Sequence, residues 1–151
     1  MNDKEFLKLA IRQSELSIVQ GRFPAGALVV LKNEIISSEV SEAYPDYQHV
    51  ECKAVDVAFE KIGKLNDAVL YASMEPCVMC LMRAYWAGIR KIVYAISRRK
   101  VDRDYYEGLH NNLEVIESLN ESLEYLQVAG LQEQALKTVV LWEKHKKSYG
   151  K

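Results

Sequence analysis

Two short motifs that lie far apart along the chain constrain this sequence more than any other feature. The first motif is His-Val-Glu at 49–51, and the second is Pro-Cys-Val-Met-Cys at 76–80. One imidazole and two thiolates are ligands that Zn²⁺ prefers, and three protein ligands leave a fourth tetrahedral position open for water. A carboxylate beside such a site can accept the proton of that water. The predicted zinc ligands are therefore His49, Cys77 and Cys80, and the predicted catalytic residue is Glu51.

The first motif opens a predicted helix over 49–62, which Gly63 can end. Apolar residues recur along it at spacings of three and four, namely Cys52, Val55, Phe59 and Ile62. Two residues apart on a helix, His49 and Glu51 point about 200° away from each other. Both side chains can therefore approach one ion only if it lies beyond the N-terminus of the helix.

The second motif is predicted to begin another helix, which ends at Gly88. Pro76 suits the first helical position, because its missing N–H is no loss there. Cys77 and Cys80 then share one face of the first turn. Two helix N-termini would converge on the metal, and their partial positive charge favours thiolate over thiol.

The remaining patterns predict an α/β architecture. A first helix starts after Asn2, which can cap it together with Glu5, and a last helix spans 131–147. Segments 41–48 and 97–107 are predicted loops, the second of them near the active site, and 109–119 is ambiguous. Strands are predicted over 27–31, 34–40, 68–73, 91–96 and 123–128. Their alternation with helices implies a sheet with parallel crossovers and helices on its faces.

Length and charge limit the class of protein. A chain of 151 residues is the usual length of one domain, and we predict a single domain over 1–151. With 20 basic and 21 acidic residues, it has no overall basic field for a phosphate backbone, so a small uncharged substrate is favoured. The charged N-terminus, the odd number of cysteines and the short apolar runs predict a cytoplasmic protein with reduced thiols and no membrane segment.

The motifs resemble those of the cytidine deaminase-like superfamily, in the branch that holds bacterial guanine deaminases and tRNA adenosine deaminases. Segment 23–27 resembles the family's Pro-x-Gly-Ala entry to the first strand, 49–51 its His-Ala-Glu, and 70–80 its strand leading into Glu-Pro-Cys-x-x-Cys. The resemblance implies a three-layer α/β/α fold with a central mixed sheet of about five strands. It also implies a zinc-dependent deaminase domain with one Zn²⁺ per chain, a homodimer, and a free nucleobase or nucleoside as substrate, with an amino-purine such as guanine favoured.

The resemblance further implies a set of substrate contacts. The Val50 backbone N–H would bind a carbonyl or ring acceptor, Ala25 would lie at the floor of the base pocket, and Asp104 would accept hydrogen bonds from a purine. Ser41 falls near the place of a family asparagine that helps to hold the base. The loop before His49 also departs from the family pattern, which leaves the identity of the substrate open.

Several alternatives stay open on the sequence alone. A Cys-x-x-C pair can be a redox site, although that reading does not use the distant histidine and glutamate. Cys52 could join the three predicted ligands in a closed structural zinc site of a non-catalytic interaction module. The basic run at 98–100, with Arg103, keeps a tRNA adenosine substrate as an alternative. Exchange of the last helix between subunits would place Tyr149 at a partner's site, whereas a frayed end would not.

Overall fold

A computed structural model describes residues 1–45 and 47–146 of the chain. Five strands and five α-helices occur in this part of the chain; they alternate except that β2 directly follows β1, and short 3₁₀ turns lie between some of them. In chain order they are α1 (Asp3–Val19), β1 (Gly26–Leu31), β2 (Glu34–Val40), α2 (Val50–Ile62), β3 (Ala68–Met74), α3 (Val78–Ala87), β4 (Lys91–Ile96), α4 (Asn112–Glu117), β5 (Glu124–Gln127) and α5 (Gln132–His145).

The sheet is mixed, as the family resemblance implied. Its strand order is β2-β1-β3-β4-β5, with β1 antiparallel to both of its neighbours and β3, β4 and β5 parallel. Strand β1 is buried over nearly its whole length because helices cover both faces of the sheet. Helix α1 packs on β1, β3 and β4 and contacts α5, while α2 packs on β1, β2 and β3 and contacts α3. The predicted three-layer α/β/α fold is confirmed.

The local predictions hold within one residue at most element boundaries. The Asn2 side chain accepts from the Glu5 N–H and the Glu5 carboxylate accepts from the Asn2 N–H, which is the expected capping box of α1. Helix α3 begins at Val78, two residues later than predicted, because Cys77 has an extended backbone and serves as the N-cap. The ambiguous segment forms the short helix α4. Tyr149 and the last predicted residue of the final helix, Lys147, lie outside the described residues.

Close packing at Gly26 fixes the distance between α1 and the start of β1. A Cβ atom on Gly26 would lie 2.3 Å from the Ala10 carbonyl oxygen and 2.6 Å from the Ser14 backbone nitrogen. Both atoms belong to the backbone of α1, which cannot move aside as a flexible side chain could. The small residue at this position is therefore required by the contact between helix and strand.

We expect Gly26→Ala to lower the free energy of unfolding by about 3 kcal/mol, because the added methyl group overpacks this contact. Gly130→Ala is the matched control, since a Cβ there meets no heavy atom within 4 Å. Urea unfolding of the two variants would measure the difference. Equal stability of both variants would contradict this account of the packing.

Among the described residues, no helix combines the length and the apolar character that crossing a bilayer requires.

Candidate metal centre and pocket

Three side chains from two distant parts of the sequence meet at one point. The ligand atoms of His49, Cys77 and Cys80 all lie within 4.8 Å of one another. His49 Nδ1 is 3.3 Å from Cys77 Sγ and 3.7 Å from Cys80 Sγ, and the two sulfur atoms are 3.7 Å apart. The two cysteines are buried and the histidine is partly exposed. The three residues thus form a compact, partly open group.

The spacing of these atoms fits a tetrahedral zinc ion. Zinc binds sulfur at about 2.3 Å and nitrogen at about 2.0 Å, so tetrahedral geometry requires separations of about 3.8 Å between sulfurs and about 3.6 Å between nitrogen and sulfur. The observed distances of 3.3 to 3.7 Å agree with these values within a few tenths of an ångström. The three ligands are therefore positioned to bind one zinc ion, as predicted.

Both motifs place a ligand at a helix N-cap. His49 caps α2 and Cys77 caps α3, and each has an extended backbone and makes no side-chain capping bond. An N-cap residue does not have helical dihedral angles, so the helix does not fix the direction of its side chain. His49 and Glu51 can therefore point toward the same place, although two residues this far apart within a helix would point in nearly opposite directions. The predicted convergence of two helix N-termini is present, with Cys77 just outside α3 instead of within its first turn.

Glu51 is buried and lies against the metal ligands. Its side chain is only 6% exposed, and Oε1 is 3.7 Å from Cys80 Sγ. Burial raises the pKa of Glu51 to about 7, which is the chief cause of the shift. A carboxyl group with such a pKa can both accept and donate a proton near neutral pH.

Cys52 lies beside the ligand group without being part of it. Its sulfur is 3.3 Å from Cys80 Sγ, and the three cysteines form one buried cluster against which Tyr106 packs. Among the described residues, however, only His49, Cys77 and Cys80 have all their ligand atoms close together. The Cys80 thiol lowers the pKa of Cys77 to about 5, and His49 acts in the same direction. This geometry favours the three-ligand arrangement over the closed site with Cys52.

A cavity of about 410 Å³ opens directly onto the ligand group, with His49, Glu51 and Cys77 in its wall. Apolar residues form much of the remaining wall, including Phe23, Ala25, Met74 and Met79. Asp104 and Glu107 add carboxylates on the side of the predicted active-site loop. None of the described residues that line this cavity is a lysine or an arginine. The cavity thus joins the metal ligands to a largely apolar chamber with acidic groups.

The four predicted substrate contacts all line this cavity. Val50 is the first residue of α2, where backbone N–H groups have no partner within the helix. Ala25 is buried, and its N–H donates a hydrogen bond to the Phe23 carbonyl. The Ser41 hydroxyl donates to the Phe23 carbonyl, so its hydrogen is turned toward the chain and away from a ligand. Asp104 is exposed at the cavity rim.

An aromatic cluster at the cavity wall was missed by the sequence analysis. Phe23, Tyr44, Tyr105 and Trp142 contact one another with ring centroids 5.1 to 6.1 Å apart. The first three rings line the cavity, and the Tyr105 hydroxyl donates to Glu143 of α5. No sequence pattern connects Trp142 with the other three rings, since these residues are distant in sequence. Through these contacts α5 packs against the wall of the cavity.

A family model described as the cytidine and deoxycytidylate deaminase zinc-binding region matches residues 1–96. Three curated relatives are similar over about 100 residues. A probable cytosine deaminase of Schizosaccharomyces pombe is 30% identical over 66% of this chain and 63% of its own length, and a tRNA-specific adenosine deaminase of Aquifex aeolicus is 30% identical over 66% and 70%. A guanine deaminase of Bacillus subtilis is 35% identical over 63% and 65%. About a third of each relative is unmatched.

Two solved structures illustrate the similarity of fold. A tRNA:A34 deaminase superimposes with a TM-score of 0.73 at 23% identity, covering 89% of this chain and 99% of the other. The guanine deaminase from Bacillus subtilis superimposes with a TM-score of 0.64 at 26% identity, covering 91% and 94%. Proteins with different substrates therefore share this architecture, and similarity alone does not identify the substrate.

Proposed function

Because this chain belongs to the cytidine and deoxycytidylate deaminase zinc-binding family, we propose that it is a zinc-dependent hydrolytic deaminase of a free nucleobase or nucleoside. An amino-purine such as guanine is the favoured substrate, and residues 1–151 would form a single deaminase domain. The observation that carries the proposal is the position of Glu51, a buried carboxylate 3.7 Å from a metal ligand at the wall of a cavity. A purely structural zinc site has no use for such a group.

In this mechanism the chain moves protons while it holds the metal and the substrate. One zinc ion held by His49, Cys77 and Cys80 would supply the Lewis acidity that lowers the pKa of a water molecule from near 16 to about 7. Glu51 accepts a proton from that water, and the oxygen of the water attacks the ring carbon that bears the amine. Glu51 then returns protons to the ring nitrogen and the departing amine, so that water and substrate become a carbonyl product and ammonia.

The character of the cavity supports a neutral substrate. A phosphorylated substrate would be expected to meet a cation, and none of the described lining residues is lysine or arginine. The apolar wall suits the faces of a heterocycle, and a carboxylate such as that of Asp104 suits its N–H groups. The Val50 N–H would donate to a carbonyl or ring acceptor, and Ala25 and Ser41 would bound the base.

The proposal is tested by measuring ammonia release from a panel of guanine, adenine, cytosine and their nucleosides, with zinc-loaded protein. The matched control is Glu51→Gln, which keeps the size of the side chain and removes its basicity. Release that disappears in the control would identify both the reaction and the substrate. Absence of release from every compound, with one zinc bound per chain, would overturn the proposed substrate class.

A tRNA adenosine is the second candidate substrate, because the relative from Aquifex aeolicus, which is 30% identical, is a tRNA-specific adenosine deaminase. The exposed residues Arg99, Lys100 and Arg103 lie on the loop that also carries Asp104, and they could contact a phosphate backbone near the cavity. A tRNA anticodon stem-loop added to the panel distinguishes the candidates. Deamination of the stem-loop alone, weakening steeply with salt, would favour this second substrate.

A homodimer is also part of the proposal. Helices α2 and α3 contact each other and leave several large apolar side chains exposed, with Trp86 at 79% and Phe59 at 46%. A second copy of the chain would cover such a surface, and tryptophan is the residue most enriched among dominant interface contacts. The family resemblance favours the same assembly.

We expect Trp86→Ser to raise the dissociation constant of the dimer by at least about 30-fold, which corresponds to about 2 kcal/mol. Val19→Ser is the matched control, because Val19 is 82% exposed at the end of α1. Light scattering over a dilution series would measure the change. A wild-type protein that is monomeric at all concentrations would rule out the proposed dimer.

A further inference from the structure

Arg98 differs from the other basic residues of its segment. It is the first residue of a 3₁₀ turn after β4, and its side chain is only 10% exposed. Arg99 and Lys100, the next two residues, are exposed. Burying a guanidinium group is costly unless its donors are paired. The side chain of Arg98 is therefore held by specific contacts within the protein.

The Arg98 guanidinium contacts four residues that lie between eight and fourteen positions later in the chain. It donates to Glu107 Oε2 at 2.9 Å and to the Gly108 carbonyl at 3.0 Å. It donates to Asn112 Oδ1 at 3.4 Å, and it lies 4.3 Å from the centre of the Tyr106 ring. The flat, forked shape of arginine allows these contacts at the same time.

Three of these partners make a second contact with residues 75–78, the turn that carries Cys77. The second contacts run from the Val78 N–H to Glu107 Oε1 at 3.3 Å, from the Tyr106 hydroxyl to the Glu75 carbonyl at 2.7 Å, and from Asn112 Nδ2 to the Pro76 carbonyl at 2.8 Å. One guanidinium thus reaches three residues of the turn through three independent intermediates.

The backbone of Arg98 adds a fourth connection to the same turn. Its N–H donates to Glu75 Oε1 at 2.9 Å, and the Tyr125 hydroxyl of β5 donates to Glu75 Oε2 at 2.7 Å. Glu75 is 8% exposed and immediately precedes Pro76 in the second motif. The turn before the metal ligands is therefore fixed on several sides.

We propose that Arg98 is a positioning residue, which holds the 75–78 turn and the Tyr106 ring in the geometry that the zinc ligands require. The inference rests on the proposed zinc site. Residues that orient metal ligands from outside the ligand set typically change metal affinity by about 10- to 100-fold when they are replaced. Arg98 acts on zinc affinity and on the shape of the cavity, whereas its exposed neighbours do neither.

Arg98→Lys tests the proposal, because lysine keeps the charge and loses the planar fork. We expect zinc affinity, measured by competition with a chromogenic chelator, to fall by about 10-fold or more. The Co²⁺-loaded variant should also show a changed visible absorption spectrum, which reports the geometry of the ligands. Arg99→Lys is the matched control and should retain the affinity and the spectrum of the wild type.

A second variant keeps the test decisive where Arg98→Lys folds poorly. Glu107→Gln retains an acceptor for the Val78 N–H and removes the charge that Arg98 contacts, so it should weaken zinc binding in the same direction. Because the contact between Arg98 and Glu107 is lost in either single variant, the double variant should lose less than the product of the two single effects. Zinc affinities within twofold of the wild type in both single variants would overturn the proposal.

The zinc measurements are independent of the proposed deaminase activity. If the substrate panel fails while Arg98→Lys weakens zinc binding, the positioning role stands and the proposed reaction falls. If Glu51→Gln abolishes ammonia release while Arg98→Lys leaves zinc binding unchanged, the proposed reaction stands and the positioning role of Arg98 falls.

Discussion

Glu51→Gln is expected to lower kcat for deamination by at least about 10³-fold, while the protein keeps its zinc. General acid and base catalysis by a positioned group contributes about 10²- to 10⁴-fold, and Glu51 serves in both directions of proton transfer. Glutamine keeps the volume of the side chain in a site where the carboxylate is 6% exposed. The amide can neither accept the proton of water nor deliver one to the departing amine.

The measurement combines ammonia release with zinc content determined on the same sample. Glu60→Gln is the matched control, since Glu60 lies on the same helix with its side chain exposed. That variant should retain the rate of the wild type. A Glu51→Gln protein with one zinc per chain and more than about a tenth of the wild-type kcat would remove Glu51 from the mechanism.

The parts of the structure that depend on contacts between residues close in sequence could be predicted best. Apolar residues at spacings of three and four predicted α2, and the Asn2 and Glu5 pair predicted the start of α1. The metal ligands could also be predicted from the sequence, because only a few residue types bind zinc and the spacing of their motifs is restricted. The helix beginning near Pro76 was predicted two residues early, since the extended backbone at Cys77 is set by tertiary contacts of its turn.

The remaining parts of the site depend on contacts between residues that are distant in sequence. Phe23 meets Trp142 only because α5 returns to the start of β1. Arg98 belongs to the basic run at 98–100, which the sequence analysis connected only with a tRNA substrate, yet its side chain is largely buried and pairs with Glu107. No periodicity or motif distinguishes it from Arg99. Such pairings follow from the order of strands in the sheet, which places the loop after β4 beside the turn after β3.

Cys80→Ser is expected to abolish zinc binding and to reduce ammonia release to the background rate. Cys80 is fully buried, and its sulfur lies 3.7 Å from both His49 Nδ1 and Cys77 Sγ, so its loss leaves only two of the three atoms that are positioned to bind one ion. A hydroxyl group is a far weaker zinc ligand than a thiolate. The variant should therefore contain little metal after purification in the presence of zinc.

The loss of zinc should also appear in thermal unfolding. A ligand that binds only the folded state stabilises it by about 4 kcal/mol when its free concentration is about 1,000 times the dissociation constant. Chelation should therefore lower the Tm of the wild type and leave that of Cys80→Ser unchanged. Absence of any chelator effect on the wild type, with no zinc bound, would contradict the proposed metal site.

Cys52→Ala is the control that separates the two possible zinc sites. Cys52 Sγ is 3.3 Å from Cys80 Sγ, which makes it the nearest substitute for a fourth ligand, yet it stands outside the group formed by His49, Cys77 and Cys80. We expect Cys52→Ala to retain its zinc, its response to the chelator and its rate of deamination. If it lost zinc as completely as Cys80→Ser, the site would be closed by four protein ligands. The fourth position would then be filled by sulfur, and no water could reach the metal beside Glu51.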